Sequence, residues 1–152
     1  MIFENSDFKI KIAPAVINQF KNHEQSIGKK ESGGILLGKL YPDIVIVEEI
    51  TTPNKLDRFG YRYFIRSKIA AQEIIDDRWS KTEGKLNYLG EWHTHSEKYP
   101  QPSSQDKKMI ANTLETTEME FDFVILVIIG IENTFWVGVQ TKDGLSKLNR
   151  CG

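Results

Sequence analysis

The stretch YLGEWHTHSEKYPQPSSQD, residues 88–106, decides how the rest of this chain is interpreted. It begins as an apolar run and then presents two histidines, His93 and His95, with one residue between them. Successive side chains of a strand point to opposite faces, so both histidines share one face if the strand extends this far. Neutral imidazole is a good zinc ligand, and two on one face supply half of a tetrahedral site. The plainer alternative is that the two histidines only end a strand.

A second group of polar residues follows, after a loop that contains two prolines. The sequence SSQD at 103–106 predicts the start of a helix, with Ser103 and Asp106 close together on its first turn. Asp106 is then a candidate third ligand, and the Ser103 hydroxyl would lie near an open fourth position. Two histidines, one carboxylate and an open position are typical of catalytic rather than structural zinc. Alternatively, Ser103 and Asp106 form a capping box at the helix start.

The combined pattern is far more specific than either half: H-T-H at 93–95, seven residues, then S-x-x-D at 103–106. It resembles the signature of the JAMM (MPN-type) metalloproteases. That family also uses an upstream glutamate in a glycine-containing apolar segment, which here reads ESGGILLG at 31–38. The resemblance covers most of the chain, roughly residues 8–138, in order and spacing. One position departs from it: many members have proline after the second histidine, and this chain has Ser96.

The resemblance implies a role for each of these residues. His93, His95 and Asp106 would hold one zinc ion, which lowers the pKa of a bound water to about 7 and polarises the scissile carbonyl. Glu31 would take the proton of that water and return it to the leaving amine. Ser103 would donate a hydrogen bond to the oxyanion. From its local context alone, Glu31 would instead be interpreted as a solvated residue at the entrance of a strand.

Further residues are candidates for contact with the substrate. Gly33 and Gly34 have no side chains that would obstruct a substrate backbone. Arg58 and Phe59 lie in a polar loop, residues 51–60, that is long enough to bind a protein partner. The alternative is that this loop only connects two strands, which is the commoner role of such loops. Glu91 shares the face of the two histidines, so it is a candidate for orienting the metal ligands, or an alternative ligand.

Composition and charge exclude several classes of protein. With 152 residues, 39% hydrophobic and 27% charged, the chain is expected to form a single globular domain over residues 1–152. A net charge of −1 argues against a general nucleic-acid or anionic-membrane binder. The longest apolar run, residues 123–131, is too short to span a bilayer. The one cysteine, Cys151, forms no internal disulfide, and a cytoplasmic location is the expectation.

The pattern of apolar residues predicts an α/β fold with a mixed sheet flanked by helices, and the resemblance implies a JAMM/cytidine-deaminase-like arrangement. Trp92 points away from the histidine face and is predicted to lie in the core. In the helix predicted over 67–81, the candidate core residues are Ile69, Ile74, Ile75 and Trp79. The core of the domain is predicted over residues 8–140, and 142–152 as a polar tail that frays.

The resemblance also implies a class of substrate. JAMM enzymes cleave the bond after the C-terminal glycine of ubiquitin or a ubiquitin-like protein, and this chain looks like the stand-alone bacterial branch. That branch is linked to ubiquitin-like sulfur carriers of cysteine biosynthesis, or to operons with E1- and E2-like proteins such as the CBASS anti-phage systems. We favour removal of a conjugated protein. The alternatives are sulfur-carrier processing and a non-catalytic MPN-type scaffold in which the zinc is structural.

Overall fold

The structure is a computed structural model that describes residues 1–25, 29–53, 57–60, 64–117 and 121–152. Its strands and helices, in chain order, are β1 Ile2–Glu4, β2 Lys9–Ile12, α1 Pro14–Asn22, β3 Gly33–Leu40, β4 Val45–Ile50, β5 Arg58–Phe59, β6 Phe64–Ile65, α2 Lys68–Lys81, β7 Asn87–Thr94, α3 Ser104–Thr116, β8 Val124–Ile129, β9 Phe135–Thr141 and β10 Gly144–Arg150. Within the described residues, no helix has the length and apolar character needed to cross a membrane. The sequence also predicts a helix over residues 13–27, which in the structure ends earlier, at Asn22. It further predicts a strand over 61–66, of which residues 61–63 lie outside the described residues.

Eight of these strands close into a barrel in the order β1-β10-β9-β8-β7-β3-β4-β2, with β2 pairing back onto β1. Two neighbouring pairs, β2 with β4 and β7 with β8, are parallel, and the others are antiparallel. The sheet is therefore mixed, as the sequence predicted. Strands β5 and β6 form a separate two-stranded sheet.

The predicted fraying of residues 142–152 is wrong. Strand β10 pairs with β9 on one side and with β1 on the other, so it closes the barrel. Leu148 is its one fully buried residue, at 1% exposure, and the polar residues around it face solvent. With a single buried residue, this segment lacks the alternation of apolar and polar residues by which a strand is recognised. The sequence therefore indicated a tail.

The barrel interior is an apolar core to which all eight strands contribute. Its strand residues are Phe3, Ile10, Ile12, Leu36, Val45, Val47, Ile50, Leu89, Trp92, Ile125, Val127, Ile129, Val137, Val139 and Leu148. Helix α1 adds Phe20, whose ring centroid lies 5.2 Å from that of Trp92. The prediction that Trp92 belongs to the core is confirmed.

Helices α2 and α3 pack on the outer face of the sheet. Small residues let α2 approach closely, since Ala70 and Ala71 are its buried positions, with Ile74 and Ile75 partly buried. The prediction that Ile69 and Trp79 are core residues is wrong, because they are 73% and 50% exposed. Helix α3 covers Val124, Leu126, Ile128 and Trp136 with Ile110. The outer face of β7 lies between the two helices.

A β-bulge in β7 decides which of its side chains reach that outer face. Gly90 pairs with Leu36, but Tyr88 pairs with Leu37, so Leu89 is the extra residue. Strand β8 passes so close that a Cβ on Gly90 would lie 1.9 Å from the Ile125 carbonyl oxygen. Because the bulge resets the alternation, Tyr88 packs outward beneath α2 on the same side as Glu91, while Leu89 packs inward.

Candidate metal centre and active site

The two histidines lie at the end of β7, where main-chain hydrogen bonds hold the strand on both sides. The N–H of Thr94 donates to the Ser32 carbonyl at 2.9 Å, and the N–H of His95 donates to the Ile129 carbonyl at 2.9 Å. The two side chains project to the same outer face, and their Nε2 atoms are 3.2 Å apart. The predicted common face of His93 and His95 is therefore what the structure shows.

The first turn of α3 brings a carboxylate to the histidines. Ser103 is the N-cap, and its Oγ accepts the N–H of Asp106 at 3.1 Å, while Asp106 Oδ2 accepts the N–H of Ser103 at 2.8 Å. The capping box is thus present. The same carboxylate also reaches both imidazoles, with Oδ1 3.2 Å from His93 Nε2 and Oδ2 3.1 Å from His95 Nε2. Capping and ligation are compatible, because the capping box fixes the Asp106 rotamer that ligation needs.

The chemistry and spacing of these donors fit a metal ion. His93, His95 and Asp106 each offer an atom within 4.8 Å of the others, and they form the one such cluster of three or more in the described residues. Ligands about 2.1 Å from a tetrahedral zinc ion are separated by about 3.4 Å. The observed separations of 3.1 to 3.2 Å are close to that value. These three residues can therefore hold one metal ion, and they leave a fourth position for water or substrate.

The charges of the cluster also favour a bound cation. Burial alone would raise the pKa of Asp106, but hydrogen bonds from His93 and His95 and from the Ser103 N–H hold it well below its usual range. Burial would lower the pKa of His95, but Asp106, Glu31 and Glu97 together raise it on balance. The negative field that favours a proton on His95 would equally favour a metal ion in its place.

Glu31 lies beside this cluster at the entrance of β3. Its N–H donates to the Gly60 carbonyl at 2.7 Å, its side chain is buried, and its Oε1 is 3.9 Å from His95 Nε2. Burial raises the pKa of Glu31 to about 7, with further increases from Asp106 and Glu97 and an opposing decrease from His95. A bound cation would lower this pKa again, and a carboxyl that titrates near neutrality can both accept and donate a proton.

We expect Glu31→Gln to stabilise the metal-free protein, and to do so more strongly as the pH rises. A carboxyl with its pKa raised from 4.5 to about 7 binds its proton more tightly in the folded state than in the unfolded state. The folded state of the wild type therefore loses stability as the pH rises from 4.5 through 7, whereas glutamine does not titrate. A shift of this size corresponds to at most about 3 kcal/mol above pH 7. Denaturant unfolding of both proteins with chelator at pH 5 and pH 8 measures the difference, and an equal gap at both pH values would contradict it.

A cavity of about 460 Å³ lies over the outer face of β7, between the two helices. Glu91, His93 and His95 form its floor, with Glu31 beside them. Residues from the start of α2 and from α3 also line it: Arg66, Lys68, Ser103, Gln105, Asp106, Met109, Asn112 and Thr113. The cavity therefore offers an extended segment a path that passes directly over the candidate metal site.

Glu91 is buried in the floor of this cavity and pairs with Arg66, whose Nε donates to Glu91 Oε1. Burial raises the pKa of Glu91, and the charge and hydrogen bond of Arg66 oppose that rise. The ion pair ties the start of α2 to β7, and the metal-ligand cluster does not include Glu91. Sequence reasoning missed Arg66. The signal available was a cation at the end of an apolar strand pattern, for which a buried carboxylate is the natural partner.

The structure distributes the predicted substrate-binding residues unevenly. Gly34 lines the cavity, and Gly33 pairs with His93 across the β3–β7 ladder. Arg58 is exposed on β5 and is absent from the residues that line the cavity. The side chain of Phe59 lies outside what the structure describes.

Gly34 also has a structural reason to lack a side chain. A Cβ there would lie 2.3 Å from the carbonyl oxygen of Thr51, which accepts the indole N–H of Trp92 at 2.9 Å. The hydroxyl of Thr51 accepts the N–H of Ile35 at 2.9 Å. Thr51 is therefore held from two sides and has little freedom to move away.

We expect Gly34→Ala to destabilise the fold by about 1 to 3 kcal/mol, because the added methyl group forces the backbone at Thr51 to shift. Gly152→Ala is the matched control, since a Cβ there meets Ile2 only at ordinary contact distances of 3.4 Å or more. Denaturant unfolding of both variants measures the effect. Equal stability of the two variants would show that Thr51 does not constrain position 34.

The chain is similar to a protein family and to several individual proteins. A family described as Prok-JAB, prokaryotic homologs of the JAB domain, matches residues 13–139. The CD-NTase/cGAS isopeptidase of Escherichia coli (strain TW11681) is 28% identical over 151 residues, which are 99% of this chain and 94% of that protein. The protein of the same name from Pseudomonas aeruginosa (strain BWHPSA011 / Pa011) is 31% identical over 132 residues, 86% of this chain and 82% of that one.

A solution structure of a protein from Desulfitobacterium hafniense has a TM-score of 0.61 and 20% identity, covering 91% of this chain and 88% of that one. At this identity the likeness concerns the fold alone. The family match spans Glu31, both histidines, Ser103 and Asp106. The resemblance to JAMM (MPN-type) proteins is thereby confirmed, and the chain belongs to the prokaryotic homologs of the JAB domain.

Proposed function

We propose that this protein is a zinc-dependent isopeptidase that cleaves after the C-terminal glycine of a ubiquitin-like protein joined to a target. Its role would be to remove conjugated proteins in the cytoplasm within a bacterial CBASS-type system. The observation that carries the proposal is the convergence of His93, His95 and Asp106 with Glu31 in one cavity. The relatives named CD-NTase/cGAS isopeptidase support the reaction class and the biological context.

In the proposed mechanism, His93, His95 and Asp106 would hold the zinc ion. When bound there, zinc would lower the pKa of a water to about 7 and polarise a carbonyl. Glu31 takes the proton of the attacking water and delivers it to the leaving amine, a role that its buried position beside His95 supports.

Ser103 has a hydrogen available for the developing oxyanion. Its Oγ is the acceptor in the capping box, so the hydroxyl proton is not used in that bond. Ser103 also lines the cavity beside Asp106. These two facts support the proposed role of Ser103 as an oxyanion donor.

The substrate tail is proposed to lie extended in the cavity, along the side of Arg66 and Gly34. A second, smaller cavity is also lined by Gly34 and Arg66, together with Thr51, Thr52 and Asp57. The two cavities share these two residues, which supports a route for the tail along this side toward the metal ligands. An extended tail of glycine residues suits such a path, because it presents main-chain groups without bulky side chains.

Fusions of a ubiquitin-like protein to a reporter, differing only in the residue before the junction, test the proposal. We expect cleavage with glycine at that position and a sharp loss with alanine or valine. Equal cleavage of all three fusions would contradict the narrow path for the tail. If zinc-loaded protein cleaves neither these fusions nor an isopeptide-linked conjugate of the same ubiquitin-like protein, the proposed reaction class is wrong.

Removal of a conjugated protein is favoured over the two alternatives, which are processing of a sulfur carrier and a non-catalytic scaffold. A sulfur-carrier peptidase would need only a linear precursor, whereas the name isopeptidase refers to a bond with a side-chain amine. A scaffold with structural zinc would need four protein ligands, and the cluster in the described residues has three. Comparing a linear fusion with an isopeptide-linked conjugate of the same ubiquitin-like protein separates the first two, since we expect the conjugate to be cleaved faster.

A further inference from the structure

His95 has a second ring nitrogen that is buried without a hydrogen-bond partner in the described part of the chain. Its Nε2 faces Asp106 and His93, while Nδ1 points the other way and is shielded from solvent. When Nε2 binds a metal ion, the proton of the neutral imidazole must reside on Nδ1. A buried N–H without an acceptor costs about 1 to 3 kcal/mol, so this atom needs a partner.

The carboxylate of Glu97 is close to this nitrogen. Its Oε2 lies 3.8 Å from His95 Nδ1, about 1 Å beyond hydrogen-bond distance. The Glu97 side chain is 56% exposed, so its carboxylate can rotate to close that gap. The neighbouring cation, Lys98, pairs with Glu132 at 3.2 Å instead of with Glu97.

The main chain at Glu97 is fixed even though its side chain is exposed. The Glu97 carbonyl accepts the N–H of Ile131 at 2.9 Å. Gly130 packs against that carbonyl so closely that a Cβ would lie 2.5 Å from the oxygen. The loop after β8 therefore anchors the position from which the Glu97 side chain reaches His95.

We propose that Glu97 is a positioning residue whose carboxylate accepts the Nδ1–H of His95. The bond fixes the tautomer and the orientation of the ring, so that Nε2 presents its lone pair to the metal. A carboxylate in this place also makes the imidazole a more basic ligand. The inference rests on the proposed metal site and adds a residue that acts on the metal through His95 rather than by binding it.

The test compares the zinc affinity of wild type, Glu97→Ala, Glu97→Gln and Glu115→Ala, measured by competition with a chromophoric chelator. We expect Glu97→Ala to weaken zinc binding by about 10- to 100-fold, the usual cost of losing such a partner. Glu97→Gln keeps an acceptor oxygen and should recover part of the affinity. Glu115→Ala, which removes another exposed carboxylate from helix α3, should bind zinc as tightly as wild type.

A second measurement separates positioning from a general effect on the fold. The unfolding midpoint of Glu97→Ala in excess chelator should stay close to that of the wild type, because the Glu97 side chain is exposed and its removal leaves no buried gap. Wild-type zinc affinity in Glu97→Ala, or an equal loss in Glu115→Ala, would overturn the role of Glu97. Failure of the wild type itself to bind zinc would refute the proposed metal site and this inference with it, and is recognised by that first titration.

Discussion

Glu31→Gln is expected to lose about 100- to 10,000-fold in turnover while keeping its fold and its full complement of metal. Loss of a general base typically reduces the rate by this factor. Glutamine has nearly the same shape as glutamate, so the buried position beside His95 stays filled, and the main-chain bond from residue 31 to Gly60 is unaffected. The metal ligands are on other elements, which is why the metal should stay.

Single-turnover cleavage of a ubiquitin-like conjugate, together with elemental analysis of the same sample, measures both halves of this expectation. Glu91→Gln is the informative comparison, because Glu91 is the other buried carboxylate on the cavity floor but pairs with Arg66. We expect Glu91→Gln to retain more activity than Glu31→Gln. If instead Glu91→Gln is inactive and Glu31→Gln is active, the base has been assigned to the wrong carboxylate.

Asp106→Ala is expected to lose the metal, and with it both activity and metal-dependent stability. Asp106 supplies the one carboxylate of the three-residue cluster. At a zinc concentration about 1,000 times the dissociation constant, binding stabilises the folded state by about 4 kcal/mol. The variant would lose this stabilisation. It also loses the acceptor for the Ser103 N–H, which is a smaller cost of about 1 kcal/mol.

Ser103→Ala is the matched control for Asp106→Ala. It removes the other half of the capping box, at a similar cost of about 1 kcal/mol, but leaves all three ligands in place. Elemental analysis should therefore find metal in Ser103→Ala and none in Asp106→Ala. Thermal unfolding with and without added zinc should show a zinc-dependent shift in Ser103→Ala alone. A full equivalent of metal in Asp106→Ala would mean that the ligand assignment is wrong.

The candidate metal cluster could be predicted because its geometry is encoded locally. Two histidines two residues apart on a strand must share a face, and a Ser-x-x-Asp at a helix start must place the two side chains together. The meeting of the two elements followed from the family resemblance. The assignment of Glu31 to the site came from the family resemblance alone. Glu31 reaches His95 because β3 pairs with β7, and no pattern in the neighbouring sequence indicates that pairing.

Structural features that depend on contacts between distant parts of the chain could not be predicted from local sequence patterns. Closure of the barrel requires β10 to pair with β1 at the opposite end of the chain, and neither strand is long or strongly apolar. The exposure of Ile69 and Trp79 depends on the close approach of α2 through Ala70 and Ala71. Helical periodicity alone favoured the larger apolar side chains over alanine as core positions.

The capping box and the H-T-H strand end together span only 14 residues, from His93 to Asp106, whereas Glu31 is 62 positions upstream of His93. The entropy lost on closing a loop grows with its length, so bringing the three metal ligands together restricts far less chain than bringing Glu31 to them. Gathering the three candidate ligands therefore carries the smaller entropic cost, whereas the place of Glu31 beside them depends on the long-range β3–β7 pairing.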